Sequence, residues 1–380
     1  MSSPEGVNPK PVPAWCKPAI RIALFLVIVV FAFTTESCHN ALLLHPSRTY
    51  SKTPADRKLN CEEVSFANPE GKNLSGWYFP AEGAIGAVVL NHGNADNIGL
   101  YLDYAEVITQ AGVSLLLYDY QGFGKSERGT SVRGLVGDGL AAYDYLESRG
   151  AAPGGIVVMG VSLGTPVSCA VAAQRPHVKA VILEGAFLPQ EEIYHHMGTL
   201  GWPFAFIISR TMPKIRPEAD ARTFAGRPLL MIHGNQDATT PISGAGRLFE
   251  AAGEPKWMWT IYGRGHFPDL IFHKRAEYAR VLTAFLRHVF LKEPFVQPSV
   301  SWNAEPRGSE WEVTARVNGE QNLSKDASLV VIFDDNGTTW SPVKIKAGEQ
   351  QLTTRCSMGR PVSVSAFVEP GGDASAGDGK

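Results

Sequence analysis

From residue 61 onward, short runs rich in Val, Leu and aromatic side chains alternate with longer segments of helical length. Runs at 64–66, 74–79, 87–91, 113–118, 155–161, 180–183, 228–233 and 257–262 read as eight strands. Several, such as 113–118 and 155–161, are almost continuously apolar, which suits strands covered on both faces. Between them lie helical segments at 98–110, 132–148, 163–173, 242–251 and 275–291. Strand alternating with helix predicts an α/β fold with a mostly parallel sheet.

The rhythm changes after Leu291. Lys292-Glu293-Pro294 opens a region in which Trp311, Val313, Ala315 and Val317 alternate with polar residues, and Asn318-Gly319 supplies a turn. Further runs at 329–333, 343–346 and 362–368 predict a small antiparallel β module over 297–370, on the plan of a sandwich. Residues 371–380 have the Gly, Ala, Asp and Ser composition of a disordered tail. At the other end, Lys10, Lys17 and Arg21 precede twelve apolar residues at 22–33, fewer than the roughly 20 of a spanning helix. A basic flank with a short apolar core is the pattern of a signal peptide. Thr35-Glu36-Ser37-Cys38 then resembles a degenerate bacterial lipobox. An uncleaved anchor in which Cys38 is incidental remains the alternative. Export or membrane attachment in the cell envelope is therefore expected, and residues 1–40 are set outside the main domain, taken as 46–293.

Composition narrows the function. A net charge of −2, from 35 basic and 37 acidic residues, gives no field to draw in nucleic acid. The five Cys, at 16, 38, 61, 169 and 356, contain no C-x-x-C pair, which excludes a zinc ribbon, and are too scattered for a disulfide scaffold.

The strongest local signal is Gly160-Val161-Ser162-Leu163-Gly164, between a strand and a helix. A serine on so sharp a turn needs small neighbours and ends with its hydroxyl exposed. Near pH 7 that hydroxyl needs a base, itself oriented by an acid. The strand at 228–233 runs into Gly234-Asn235-Gln236-Asp237, and the strand at 257–262 into Gly263-Arg264-Gly265-His266. The order Ser162, Asp237, His266 is the chain order of one hydrolase fold. For the oxyanion, the candidate donors are the backbone N–H groups of Leu163 and of Asn94, the latter after the strand at 87–91. Asp269 competes for the acid but lies three residues from His266 on the same loop. His92 and His233, at strand ends, read as structural, as do Asp119 in a turn and Cys169 on the helix behind the serine. Glu184 reads as holding a loop, His273 as starting the last helix, and His195-His196 as a solvated or substrate-facing pair.

With Asn91-His92-Gly93-Asn94-Ala95-Asp96-Asn97 and Tyr118-Asp119-Tyr120-Gln121-Gly122-Phe123-Gly124-Lys125-Ser126 beside that elbow, about 230 residues from Cys61 to Leu291 resemble the α/β-hydrolase fold family. The likeness is to serine aminopeptidase-like hydrolases and depalmitoylating thioesterases, with Gln121 where Arg is usual. It implies an eight-stranded, mostly parallel α/β-hydrolase sheet with a cap between residues 183 and 228, and a Ser-His-Asp serine hydrolase needing no metal or organic cofactor. The cap segment is short and apolar, so a lipid-like acyl ester or thioester is the expected substrate. Alternatives are a peptidase of the same fold, using Glu184, Glu191, Glu192 or Asp220 to hold a free amine, and a non-catalytic, envelope-anchored binding scaffold. No partner for the β module is specified by its sequence.

Overall fold

A computed structural model describes residue 21 and residues 34–150, 152–224, 226–261, 263–295, 299–318, 327–333, 343–345, 351–356 and 361–367. The apolar run at 22–33 and the tail at 371–380 lie outside the described residues. A helix, α1 (Glu36–Leu43), precedes the sheet. The sheet is built from β1 (Glu62–Ala67), β2 (Asn73–Phe79), β3 (Ala87–Asn91), β4 (Ser114–Tyr118), β5 (Ile156–Val161), β6 (Ala180–Glu184), β7 (Leu229–Gly234) and β8 (Lys256–Ile261). Their order across the sheet is β8-β7-β6-β5-β3-β4-β2-β1. Pairing is parallel from β8 to β4, while β2 runs antiparallel to both β1 and β4. This is the eight-stranded, mostly parallel sheet expected.

The continuous apolar runs have a direct cause. Alternate residues of a strand point to opposite faces, and both faces here are covered. Val88 and Leu90 of β3 enter the core on one side and Val89 the core on the other. The first side is closed by α2 (Leu102–Gln110) and by the last helix of the domain, α7 (Arg275–Leu291). The opposite side is closed by α3 (Leu135–Ser148), α4 (Gly164–Gln174) and α6 (Ile242–Ala251). Between β6 and β7 lies α5 (Pro189–Thr211), kinked where Gly198 takes φ 58°.

The predicted edge at residue 40 cuts through α1. Thr35 Oγ1 accepts the Cys38 N–H at 3.3 Å, His39 is buried, and Asn40 binds the backbone of Thr130 and Val132. The helix carries too weak a pattern to be recognised alone; its contacts with distant residues hold it. Ile193, Ala205, Ile208 and Met212 of the cap region form a small separate core against which Leu43 packs. The second half of α5 therefore rests on α1.

Beyond α7, β9 (Ser299–Arg307) and β10 (Glu310–Asn318) form a hairpin, with Gly308 at φ 69° in its turn. The turn expected at Asn318-Gly319 falls where β10 ends, and Gly319 lies outside the described residues. β11 (Ala327–Phe333), β12 (Val343–Ile345), β13 (Gln351–Cys356) and β14 (Pro361–Phe367) complete two three-stranded antiparallel sheets, β9-β10-β13 and β12-β11-β14. Val313, Ala315 and Val364 are buried in the core on the α6 side of the main sheet. Ser363 also donates to Glu250 of α6 at 2.8 Å.

Candidate active site

β5 ends at Val161 and α4 starts at Gly164, so the chain reverses within Ser162 and Leu163. Ser162 takes φ 50°, a left-handed conformation that is strained for a residue with a side chain. Its N–H donates to the Glu184 carbonyl at 2.8 Å, and its own carbonyl accepts from both the N–H and the hydroxyl of Thr165. The flanking glycines are there for space. A Cβ on Gly160 would lie 2.3 Å from the Gly164 carbonyl oxygen, and one on Gly164 would lie 1.8 Å from that of Asn91.

His266, on the loop after β8, lies with Nε2 2.8 Å from Ser162 Oγ and Nδ1 2.6 Å from Asp237 Oδ2. Asp237, after β7, is almost fully buried. Its carboxylate also accepts the N–H groups of Thr239 and Thr240 and the Thr240 hydroxyl. Burial alone would raise its pKa, but hydrogen bonding to His266 and the nearby His233 and His266 rings hold it below the ordinary value. An ionised Asp237 requires the hydrogen on His266 Nδ1, which leaves Nε2 to accept from the serine. The three residues chosen from the sequence thus form one connected relay.

Asn94 and Leu163 line the same cavity as Ser162. The Asn94 side chain is engaged elsewhere, donating to the Leu43 carbonyl at 2.7 Å and accepting the His45 N–H at 3.0 Å. Gly93 lets this loop approach, since a Cβ there would sit 2.7 Å from Tyr101 Oη and 3.4 Å from Ser162 Cβ. The cavity has a volume of about 320 Å³ and is walled mainly by Leu42, Leu43, Leu44, Phe187, Ile193, Met197, Ile208 and Met212. Its α1 wall has no counterpart in the sequence signals, because only the fold brings 42–45 to the serine.

Of the four carboxylates considered for an amine, Glu192 alone lines this cavity. Burial, with the Asp237 charge adding to it, pushes its pKa up to about 8, and His196 Nδ1 lies 2.9 Å from its Oε1. Glu184 is fully buried, accepts hydrogen bonds from Tyr104 at 2.7 Å and from Tyr278, and is pushed up to about 7 by burial. Asp269 accepts the Gly265 N–H rather than joining the relay. His92 is buried against the Gly93 carbonyl and the Tyr120 N–H, and burial drives its pKa down to about 3. His233 is buried against the Thr240 carbonyl, Asp119 is buried and bound to Tyr50 and to the Ile98 N–H, and Cys169 is buried in α4. His195 faces the Ala238 carbonyl, whereas His196 lines the cavity. His273 closes a short helix, Asp269–His273, instead of opening α7. Among the described residues no group of three or more His, Cys, Asp or Glu side chains is arranged to hold a metal ion.

Residues 83–227 match the family described as serine aminopeptidase, S33. The uncharacterized protein MT2364 of Mycobacterium tuberculosis is 32% identical over 213 residues, which cover 55% of this chain and 74% of that one. The chain belongs to the serine aminopeptidase (S33) family of α/β-hydrolases. Alpha/beta hydrolase domain-containing protein 17C of Mus musculus is 28% identical over 257 residues, covering 65% of this chain and 75% of the relative. Among solved structures, the esterase Pf2001 of Pyrococcus furiosus superposes with a TM-score of 0.56 at 19% identity, over 65% of this chain and 98% of the esterase. That likeness is one of fold. The family match and the 17C alignment both stop short of the full chain, and the family match ends before Asp237 and His266.

Proposed function

We propose that this family member hydrolyses acyl esters or thioesters through an acyl-enzyme. Ser162 Oγ attacks the carbonyl carbon while His266 Nε2 takes its proton, and Asp237 stabilises the resulting imidazolium. The N–H groups of Leu163 and Asn94 are the donors assigned to the oxyanion, with the N-terminus of α4 adding positive potential there. Collapse of the tetrahedral intermediate expels an alkoxide or thiolate, which takes the proton from His266. Water then attacks the acyl-enzyme, giving up a proton to His266, and a second collapse releases the acid and returns the proton to Ser162.

One observation carries this reading: the Ser162–His266–Asp237 relay opens into a largely apolar cavity of about 320 Å³, which offers room for an acyl chain. Glu192 is what favours a peptidase, as a carboxylate for a free amine. Burial disfavours its charged form, and it is the one acidic side chain in an otherwise mainly apolar lining, with no second carboxylate to share an ammonium group. The ester or thioester reading therefore leads.

A fluorophosphonate probe tests it. The folded parent is expected to be labelled and Ser162→Ala is not. A folded parent that takes no label overturns the hydrolase reading and brings back the non-catalytic scaffold. Comparing p-nitrophenyl esters with acyl thioesters of matched chain length then identifies the leaving group.

A further inference from the structure

We propose that the outer face of α5, together with the end of α1, docks on a lipid bilayer bearing anionic headgroups, so that acyl substrates enter the cavity from the membrane. This rests on the hydrolase reading only for what the cavity then does.

Trp202, Phe206 and Arg210 follow one another at four-residue spacing and share one face of α5. Trp202 is 58% exposed and Phe206 42% exposed, their rings stack with centroids 6.0 Å apart, and the Arg210 guanidinium lies 4.8 Å from the Phe206 ring centre. These rings are not required by the packing of the helix, because Ala205, Ile208 and Met212 on its other face fill the cap core. Large exposed apolar side chains among the described residues are Leu42, Trp202, Phe206, Phe272 and Leu291, so three of the five stand on α1 and α5. Leu42 both faces solvent and lines the cavity. His39 Nε2, 3.1 Å from Thr211 Oγ1, links α1 to the end of α5. Leu42 therefore stands at the cavity's edge, on the helix against which the end of α5 rests.

Two observations favour a bilayer as the occupant. The apolar stretch at 22–33 ends three residues before Glu36. Three residues reach about 10 Å at full extension, and an eight-residue helix adds about 12 Å. A membrane that takes up this stretch is thus within about 25 Å of Leu42. The second is charge. Arg210, Lys214 and Arg216 are exposed on and after the same end of α5, and basic residues beside Trp and Phe suit the interface of an anionic membrane.

The full-length chain, reconstituted into phosphatidylcholine–phosphatidylglycerol vesicles whose acyl chains carry bromine, tests this through tryptophan emission. The parent is expected to be quenched more than Trp202→Phe, the difference isolating Trp202 among the eight tryptophans. Trp202→Glu/Phe206→Glu is expected to lose at least tenfold in turnover of a long-chain acyl ester carried in the vesicles, while hydrolysing p-nitrophenyl butyrate in water like the parent. Equal quenching of parent and Trp202→Phe, with vesicle turnover unchanged in the double variant, overturns the proposal. So does protection of Trp202 that depends on protein concentration without lipid, which assigns the patch to a second copy. A parent that hydrolyses neither ester defeats the hydrolase reading, while quenching still decides the docking.

Discussion

The Glu184 carbonyl accepts the Ser162 N–H at 2.8 Å, so the end of β6 holds the strained serine in the turn after β5. The same residue's carboxyl is locked behind the site by Tyr104 of α2 and Tyr278 of α7. The turn that presents Ser162 is therefore braced by side chains from two helices on one face of the sheet. Glu184 was legible in the sequence only as a residue holding a loop. Its tyrosine partners lie 80 and 94 residues away and required the fold to be seen.

Glu184→Gln is expected to change how stability depends on pH. In the folded protein this carboxyl, held near 7 by burial, keeps its proton after the unfolded chain has lost it near 4.5. The stabilisation is full below 4.5 and disappears as pH rises to about 7, roughly 3 kcal/mol across that interval. Denaturant titrations at pH 4.5, 6 and 7.5 should show Glu184→Gln gaining on the parent by that order as pH rises. A constant difference across the three would refute the assignment.

The acid is tested by Asp237→Asn against Asp269→Asn. Removing the charge that orients His266 should lower kcat by about 10⁴ with little change in KM. Asp269→Asn leaves the relay intact and should stay within about threefold of the parent. Equal losses in both variants would mean that Asp269 shares the role.

Glu192 predicts a second pH effect, within the cavity. As pH rises through about 8, its carboxyl ionises beside an apolar acyl group and near the Asp237 charge, so kcat/KM for an apolar ester should fall. The exposed His196 beside it and Thr239 and Thr240 across the cavity carry no negative charge that would duplicate the effect. Glu192→Gln should remove the fall above pH 8 while leaving activity near pH 7 within a few-fold. A profile unchanged by the substitution would place the ionisation elsewhere.

Gly93→Ala probes the loop assigned to the oxyanion. Its new Cβ would meet Tyr101 Oη at 2.7 Å; Tyr101 is buried with its ring stacked on Phe267, so relief falls on the segment carrying Asn94. Loss of one oxyanion donor costs about 10²–10³ in kcat. Steady-state kinetics should show that loss in kcat, with fluorophosphonate labelling slowed and the near-UV circular dichroism of the parent retained. Full activity would exclude Asn94 as a donor.

The sheet was legible because buried strands must be apolar on both faces, and the elbow because Gly160 and Gly164 have no room for a side chain. Asp237 and His266 were legible because catalytic loops follow strand ends in a known chain order. The α1 wall was not, since eight residues of weak pattern are specified by distant partners such as Thr130, Thr211 and Leu43's neighbours in the cap. Nor was the hairpin turn at Gly308, where Pro306 within β9 breaks the expected strand pattern.

The β module also bears on stability. Val364 of β14 is 3% exposed in the core that contains Leu248 and Phe249 of α6. A carboxylate at that position has no partner and should cost roughly 3 kcal/mol or more. Thermal unfolding of Val364→Asp should shift Tm down by roughly 5–10 °C. The same substitution at Thr353, which is exposed on β13, should leave Tm within about 2 °C. Hydrolysis of a soluble ester at 25 °C should persist in both. If Val364→Asp melts like Thr353→Asp, the module's packing against α6 contributes nothing to holding the hydrolase domain.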